Sequence, residues 1–374
     1  MIIEKIELFP LRYKYPQVIY DARSKIVNKS AFLIKISTDN GLYWWWEAAT
    51  FWDIPEVMKA LFEYKLSGLI LWKKVEPKAI SEYLFKITAH YWQKGMVVSA
   101  ISAIDIALWD LLAKEAKLSV TNLLGWSSKK IKVYASTWYF KHENNPEADL
   151  DSLLLDLKDE RLLSFSWVKI KIWKYSLEND IERVKLTREA IWCNKILIVD
   201  ANNSYSVEQT VKFAKEIEKY NIMFIEEPIE FWKPIESGRL CNLSKVPIWW
   251  YELDCRFEWF EKYIDNHSVD YIQPDVIWSW GISECIMIWE KAKRNLISLV
   301  PHNFSTALAL AANIHVLNVS NAGEWIEFDY TKNPFMDSLD AEFPQIIDWF
   351  IEIKDTHWLW IEPQPEFIQK YLIK

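Results

Sequence analysis

A series of charged residues recurs through the second half of the chain at a regular spacing. Successive members are 23 to 29 residues apart, and each one ends or follows a short β-rich run; the series is Lys171, Asp200, Glu226, Glu252, Asp275, His302 and Glu327. An interval of this length fits one strand plus one helix. Because barrel enzymes place their catalytic groups at the carboxyl ends of parallel strands, the spacing predicts that these side chains converge on one site.

Three carboxylates of this series, Asp200, Glu226 and Glu252, follow consecutive predicted strands. Carboxylates held this close together cannot all stay ionised without a cation. Oxygen ligands with room for water and substrate suit Mg²⁺ better than zinc. We therefore predict that the three bind Mg²⁺, although any one of them alone would more often be a solvated carboxylate or a helix cap.

Two further members of the series could transfer protons from opposite sides of that ion. Lys171 has Lys169 two residues away on the same strand face, which disfavours the protonated form of Lys171 and prepares it as a base. The alternative is a salt bridge at the rim. His302 and Asp275 belong to adjacent strand ends, so the carboxylate could fix the imidazole tautomer and raise its basicity.

The elements that must position these residues are βα repeats, which begin at about residue 130. The β-rich runs cover residues 168–172, 195–199, 222–225, 246–251, 269–272, 298–300 and 325–328, each followed by an amphipathic stretch. This alternation predicts a parallel barrel. Before it, two predicted strands at 2–8 and 31–37, a turn signal at 38–41 and a helix at 99–114 indicate a smaller α+β domain.

Composition excludes several classes of protein. The chain has 374 residues and a formal charge of −8, without a Lys- and Arg-rich stripe, which argues against a nucleic-acid partner. The first residues carry charges where a signal peptide needs an apolar core, and no apolar run reaches about 18 residues. We expect a soluble, cytoplasmic protein with no membrane partner. The spacing of the cysteines fits no zinc or redox pair, which predicts buried, reduced thiols at Cys193, Cys241, Cys255 and Cys285.

Glycine is unusually scarce and tryptophan unusually abundant, with 7 and 23 residues respectively. Tryptophans at 44–46, 278, 280, 358 and 360 occupy places where a turn would require positive φ or a close backbone approach. Our hypothesis is that many of them are opal codons that the source organism reads as glycine. The alternative is a genuinely tryptophan-rich protein, in which so many indoles at turns would overpack the fold.

Taken together, the motifs resemble the mandelate racemase branch of the enolase superfamily, also called the mandelate racemase/muconate lactonizing enzymes. They are Lys169-x-Lys171, Asp200-Ala-Asn202, Glu226-Glu227-Pro228, the Glu252 strand end, Asp275 with His302, and the helix that contains Asp105 and Asp110. The resemblance implies an α/β fold, a modified TIM (β/α)7β barrel at residues 126–345 with an N-terminal α+β capping domain at 1–125. Residues 346–374 would return to the capping domain.

The resemblance also implies a role for each site residue. Lys171 and His302 would be the two acid/base residues, with Asp275 orienting His302. Lys169 would lower the pKa of Lys171 and, with Glu327, contact the substrate carboxylate. The remaining roles are Mg²⁺ binding by Asp200, Glu226 and Glu252, and substrate binding by Asn202. Family glycines are expected near 44, 46, 126, 167, 173, 280, 358 and 360, so indoles at 173 and 280 would obstruct the barrel mouth.

The function that this pattern predicts is removal of the proton next to the carboxylate of a small-molecule acid. Our first choice is dehydration of a sugar acid, in which Lys171 or His302 takes the α-proton and the other, first of all His302, protonates the departing β-hydroxyl. Loops at 15–30 and 44–55 would set specificity, with residues 20–25 binding hydroxyls.

Alternatives remain open at this point. A racemase or epimerase, or a lactone cycloisomerase, would use the same groups. A non-catalytic metal- or sugar-acid-binding barrel would not require both Lys171 and His302. Family members are often multimers, which predicts a homo-oligomer.

Overall fold

The N-terminal part of the chain forms an antiparallel three-stranded sheet. The computed structural model describes residues 1–50, 53–91, 93–191, 195–230, 233–320, 323–340, 346–352 and 361–374. In it β1 (Ile3–Tyr20) pairs with β2 (Lys25–Thr38), and β2 pairs with β3 (Tyr43–Ala48). Both predicted strands are confirmed and are longer than expected. The β1–β2 hairpin reaches the barrel, where Tyr20 and Phe140 exchange two backbone hydrogen bonds of 2.7 and 2.8 Å.

Five helices follow the sheet: α1 (Pro55–Leu61), α2 (Ser67–Ile70), α3 (Pro77–Ile87), α4 (Met96–Ala116) and α5 (Val120–Leu123). The predicted helix at 99–114 lies within α4. This helix is long and apolar enough to cross a membrane, contrary to the expectation that no segment would be, but 83% of its apolar window is buried inside the protein. Its apolar composition follows from that burial, because β3, α3 and another helix, Gly281–Arg294, cover it.

A nearly closed sheet of eight parallel strands forms the barrel. In chain order the strands are β4 (Ile131–Ser136), β5 (Trp167–Lys171), β6 (Ile196–Asp200), β7 (Ile222–Glu226), β8 (Ile248–Trp250), β9 (Tyr271–Ile272), β10 (Ser298–Leu299) and β11 (Trp325–Asp329). Hydrogen bonding follows the order β10-β9-β8-β7-β6-β5-β4-β11. The α/β class and the (β/α)7β arrangement are therefore confirmed.

One helix follows each of the first seven barrel strands. These are α6 (Pro146–Asp156), α7 (Leu177–Ala190), α8 (Val207–Ile217), α9 (Pro234–Leu243), α10 (Phe257–Asp265), α11 (Gly281–Arg294) and α12 (Ala307–Ser320). After β11 come α13 (Pro334–Asp337), β12 (Phe350–Ile351), which pairs antiparallel with β4, and α14 (Pro365–Tyr371). Ile373 donates a backbone hydrogen bond to Pro10 of β1, so the chain end lies on the N-terminal sheet.

Two local expectations were wrong. Strand β4 was not among the predicted β-rich runs. Residues 44–46 do not form a turn, because they belong to β3, where Trp44 and Trp46 are buried in the core. The hairpin turn lies earlier, at Gly41 with φ of 82°, and the chain after such a turn must continue as the partner strand. Positions 358 and 360 lie outside the described residues.

Candidate active site

The register of the parallel strands brings the predicted lysines and carboxylates side by side. Lys171, at the end of β5, pairs in register with Asp200 at the end of β6, which in turn pairs with Glu226 at the end of β7. All three side chains are buried. The equal strand lengths and the βα spacing therefore place these groups at one end of the barrel, as the sequence predicts.

Two lysines neutralise this group of carboxylates. Lys169 Nζ lies 2.7 Å from Glu226 Oε1, 2.7 Å from Glu327 Oε1 and 3.7 Å from Asp200 Oδ2. Lys171 Nζ donates to Asp200 Oδ2 at 2.5 Å. Lys169 thus contacts three carboxylates, whereas Lys171 contacts one and lies 5.2 Å from the centroid of the Tyr139 ring.

His302 is held in one orientation by an aspartate. Its Nδ1 lies 2.8 Å from Asp275 Oδ2, and Asn313 Nδ2 donates to Asp275 Oδ1 at 3.0 Å and to the His302 carbonyl at 3.3 Å. The indole of Trp278 packs against the imidazole with 5.0 Å between ring centroids. Because Nδ1 faces the carboxylate, Nε2 is the atom that faces the centre of the barrel mouth.

Glu252 and Glu327 complete the side of the mouth that faces His302. Nε2 of His302 is 3.5 Å from Glu252 Oε2 and 4.0 Å from Glu327 Oε2. Since Glu327 also contacts Lys169, it bridges the two halves of the site. The structure therefore brings all the predicted acid/base and carboxylate residues into one cluster.

The charges in this cluster shift several pKa values. Burial raises the pKa of Glu226 to about 8 although Lys169 opposes the shift. Burial also acts to raise the pKa of Glu327, but Lys169 and then His302 outweigh it and bring that pKa to about 2. For His302, burial acts to lower the pKa, but Glu252 and Asp275 together outweigh burial and raise the pKa to about 9.

The expectation for Lys171 needs a correction. Burial and Lys169 do act to lower its pKa, in the predicted direction. Contact with Asp200 outweighs both, so the pKa of Lys171 is raised above its usual value. The sequence places two lysines on one strand face, but it does not show which carboxylate each of them contacts.

Whether the carboxylates fit a divalent cation can be judged from their unused oxygens. In the described part of the chain, no three Asp, Glu, His or Cys side chains are arranged as a metal-binding group, because the lysines hold Asp200 and Glu226. However, Glu226 Oε2 is fully buried and has no hydrogen-bond partner there. Buried carboxylate oxygens without a donor suit an oxygen-preferring cation, so the residues present fit Mg²⁺.

Asn202 lies beside this group. Its backbone N–H donates to Asp200 Oδ1 at 2.9 Å, and its side-chain amide donates to Asp200 Oδ2 at 3.4 Å. The side-chain Oδ1 has no partner among the described residues. Asn202 therefore orients Asp200 and keeps one acceptor available at the mouth.

Sequence reasoning missed a buried ion pair at the edge of the site. Lys29 Nζ, from β2, lies 2.8 Å from Asp329 Oδ2 and donates to the Phe304 carbonyl at 3.0 Å. Both charged side chains are almost fully buried. The available signal was Asp329 at the end of a barrel strand, but its partner lies 300 positions away and no spacing pattern points to it.

The tryptophans expected to obstruct the mouth point elsewhere. The Trp280 indole donates to Ser81 Oγ at 2.7 Å and packs on Phe85, both in α3. Trp173 packs on Tyr205 with 4.0 Å between ring centroids. Their backbones are nevertheless left-handed, with φ of 79° and 70°, a conformation that favours glycine.

Sequence profiles of one family match most of the chain. A profile described as mandelate racemase/muconate lactonizing enzyme, N-terminal domain, matches residues 10–125, and one described as enolase C-terminal domain-like matches residues 154–366. The barrel, its N-terminal sheet and the carboxylate-lysine-histidine cluster define an enolase-superfamily enzyme. The chain belongs to the mandelate racemase/muconate lactonizing enzyme family of that superfamily.

Individual relatives carry out related reactions. The arabinonate dehydratase of Saccharolobus solfataricus is 32% identical over 86% of this chain and 85% of its own length. The structure of the 3,6-anhydro-D-galactonate cycloisomerase from Zobellia galactanivorans superposes with a TM-score of 0.89 at 25% identity, over all of both chains. A racemase from Streptomyces coelicolor A3(2) with bound magnesium has the same fold, with a TM-score of 0.90 at 20% identity and complete coverage of both chains.

Proposed function

We propose that this protein is a Mg²⁺-dependent dehydratase of a sugar acid. The observation that carries the proposal is that Lys171 and His302 contact different members of one buried carboxylate cluster, Asp200 and Glu252, while Glu327 contacts both Lys169 and His302. A base and an acid on two sides of one substrate carbon chain are what an elimination across adjacent carbons requires. The 32% identity to an arabinonate dehydratase supports the same reaction.

The base side of the reaction belongs to Lys171. Its Nζ takes the proton from the carbon next to the substrate carboxylate, and the C–H electron pair passes into the enolate. Lys169 stays protonated, because Glu226 and Glu327 outweigh the effect of burial and keep its pKa well above the usual value. It therefore binds the substrate carboxylate as a fixed positive charge. Burial acts to lower the pKa of Lys171, and its contact with Asp200 is the largest of the effects that raise it. That contact would be lost when Asp200 binds a cation, which would leave Lys171 as the base.

The acid side belongs to His302. Asp275 holds Nδ1, so Nε2 delivers the proton to the β-hydroxyl. The β-carbon to oxygen bond breaks, water leaves, and the electron pair of the enolate forms the double bond. The enol that results tautomerises to a 2-keto-3-deoxy acid, so atoms and electrons balance without an oxidant.

Three carboxylates would hold the cation: Asp200, Glu226 and Glu252. Bound there, Mg²⁺ would stabilise the negative charge that develops on the substrate carboxylate oxygens, which an amine or imidazole cannot do alone. The racemase of the same fold that contains magnesium supports this assignment. Asn202, through its two hydrogen bonds to Asp200, would keep that ligand oriented.

The test is incubation with a panel of sugar acids and Mg²⁺ in D₂O, followed by NMR and a keto-acid assay. The proposal requires a 2-keto-3-deoxy product from at least one acid. Deuterium at the α-carbon with inverted product would indicate a racemase instead, and an isomerised lactone would indicate a cycloisomerase like the Zobellia galactanivorans relative. No exchange with any acid would leave only a binding protein.

Two variants assign the roles. Lys171→Ala should lower both exchange and elimination by roughly 10²–10⁴-fold, because it removes the base. His302→Asn should lower elimination similarly but keep α-proton exchange, because Lys171 is intact. His267→Asn, at an exposed histidine, is the control and should change neither rate.

A further inference from the structure

A groove opens at the C-terminal end of the barrel between the loops that follow β4 and β11. Its volume is about 480 Å³, which is within the range of small-molecule sites. The two loops are joined by a contact of 3.1 Å between the hydroxyls of Thr137 and Thr331. Ile19, from the tip of the β1–β2 hairpin, forms part of the wall, so both the barrel and the N-terminal sheet shape the groove.

Tyr139 connects this groove with the reaction centre. Its ring lines the groove and lies 5.2 Å from Lys171 Nζ. Burial, followed by the negative charges of Asp329 and others, raises its pKa well above the usual value, so its hydroxyl stays protonated. Tyr139 thus borders both the groove and the proposed base, and a substrate that passes this ring would reach both.

The lining of the groove is positively charged in a protein of net negative charge. Four basic side chains line it, Lys141, Lys158, Arg161 and Lys332, against the carboxylates of Asp156 and Asp159. The excess is two positive charges, whereas the whole chain has a formal charge of −8. A local excess of this kind attracts an anion.

Arg161 is held so that its guanidinium faces the groove. Asp159 contacts its Nη2 at 3.0 Å, and the guanidinium carbon lies 4.4 Å from the centroid of the Tyr330 ring. The side chain keeps 45% of its surface exposed, which leaves further N–H groups available. An arginine fixed by stacking is suited to bidentate recognition of a carboxylate or phosphate.

Resting on the function proposed above, we infer that this groove binds the end of the substrate that lies far from the reacting carboxylate, and that this end carries an oxyanion. Arg161 pairs with the oxyanion, and Lys332 and Lys141 add positive charge. The oxyanion is the second carboxylate of a sugar diacid or the phosphate of a sugar-acid ester. A neutral polyol end would leave the positive excess of the groove uncompensated.

The experiment compares galactonate, galactarate and galactonate 6-phosphate with wild type, Arg161→Ala, Arg161→Lys and Lys332→Ala in the presence of Mg²⁺. Arg161→Ala should raise KM for the preferred anionic-ended acid by about tenfold to a hundredfold, with kcat little changed and no effect on galactonate. Arg161→Lys should recover part of the loss. Arg294→Ala, at an exposed arginine paired with Glu290, is the control.

The outcomes separate the alternatives. A preference for galactarate identifies a diacid, and a preference for the phosphate ester identifies a phosphorylated acid. Equal KM values for all three acids in wild type, or an equal effect of Arg161→Ala on all three, would overturn the inference. So would a change of oligomeric state in light scattering without a change in KM, which would identify the groove as a subunit interface.

The inference can fail separately from the proposed function. If wild type turns over none of the acids, calorimetry with galactarate and galactonate replaces kinetics. Tighter binding of galactarate that Arg161→Ala abolishes would support the groove even though the dehydratase reaction had failed. Equal binding of the two acids would overturn it.

Discussion

Five tryptophans among the described residues have a left-handed backbone. They are Trp72, Trp138, Trp173, Trp280 and Trp349, with φ between 56° and 79°. This conformation costs an L-residue about 1–2 kcal/mol, whereas glycine adopts it freely. Glycine is scarce in this sequence, and tryptophan occupies backbone positions that favour glycine. Both observations support the hypothesis that the source organism reads opal codons as glycine and that these codons appear as tryptophan in this sequence.

One substitution tests whether a tryptophan with positive φ strains the backbone. Trp72 is 70% exposed and has φ of 65°, so Trp72→Gly relieves strain and loses little buried surface. We expect it to stabilise the protein by about 0.5–1 kcal/mol in urea unfolding. Trp259→Gly is the control, since Trp259 lies inside helix α10 without positive φ and packs against the core, and it should destabilise. Equal losses in both variants would contradict the strain account.

Peptide mass spectrometry of the protein purified from its source organism tests whether these codons are translated as glycine. Glycine is expected at positions 72, 138, 173, 280 and 349, because those backbones require it. Tryptophan at these positions would refute the proposal. Ordinary tryptophan codons in the gene at 44, 46, 173, 280, 358 and 360 would refute it as well.

At the scale of single residues, the sequence predicted where the charged side chains of the site lie, but not which lysine pairs with which carboxylate. Spacing alone predicted Lys171, Asp200 and Glu226, because each ends a strand of a repeating unit. The raised pKa of Lys171 depends on its contact with Asp200 in the folded structure. No sequence pattern predicts which carboxylate a long, flexible lysine side chain contacts.

At the scale of elements, the repeating βα pattern was sufficient for seven of the eight barrel strands. Strand β4 (Ile131–Ser136) was missed because it comes before the regular repeats begin, although its six residues make it the longest of the barrel strands. Residues 44–46 were misassigned because composition was weighed without the hairpin geometry that follows Gly41. Local composition identifies candidate turns, but the pairing partner decides whether a segment continues as a strand.

Helix α12 contains a histidine whose environment makes stability depend on pH. His315 is fully buried and its Nδ1 lies 2.8 Å from the Thr121 hydroxyl of α5. Burial lowers its pKa from 6.5 to about 3. The folded state therefore keeps His315 neutral, whereas the unfolded state protonates it as the pH falls below 6.5. The contribution of neutral His315 to the free energy of unfolding is complete above pH 6.5 and is lost as the pH falls toward 3.

The variant His315→Asn should remove this acid sensitivity. Between pH 7 and 4, the free energy of unfolding should fall more for wild type than for the variant. The difference between the two losses should approach a limit on the order of 5 kcal/mol at lower pH. Urea unfolding at several pH values measures the difference. Parallel stability curves for the two proteins would show that His315 is not the group responsible.

At the scale of the whole molecule, the N-terminal sheet and the barrel are joined by the buried Lys29–Asp329 pair. Phe304 contributes its carbonyl and its ring, with Lys29 Nζ 3.5 Å from the ring centroid. Tyr139 packs against the same Phe304 ring, with 5.5 Å between ring centroids, so the pair lies beside Tyr139. Its two members are far apart in sequence, which is why only the folded chain reveals it.

Breaking that pair should destabilise the fold strongly. Lys29→Met leaves Asp329 buried without its cation and should cost about 3–5 kcal/mol in urea unfolding. The double variant Lys29→Met/Asp329→Asn should recover part of the loss, because no unpaired charge remains. Lys5→Met is the control, since the Lys5–Glu7 pair is exposed, and it should cost under about 1 kcal/mol. Equal losses for Lys29→Met and Lys5→Met would be inconsistent with a joining role.

The most direct test of the whole account is a crystal structure grown with Mn²⁺, which replaces Mg²⁺ and is located by its anomalous scattering. We expect one strong peak among the oxygens of Asp200, Glu226 and Glu252, with Lys171 displaced from Asp200 and with His302 Nε2 facing the same centre. A peak elsewhere, or Asp200 and Glu226 still bound to Lys171 and Lys169 at saturating Mn²⁺, would contradict it.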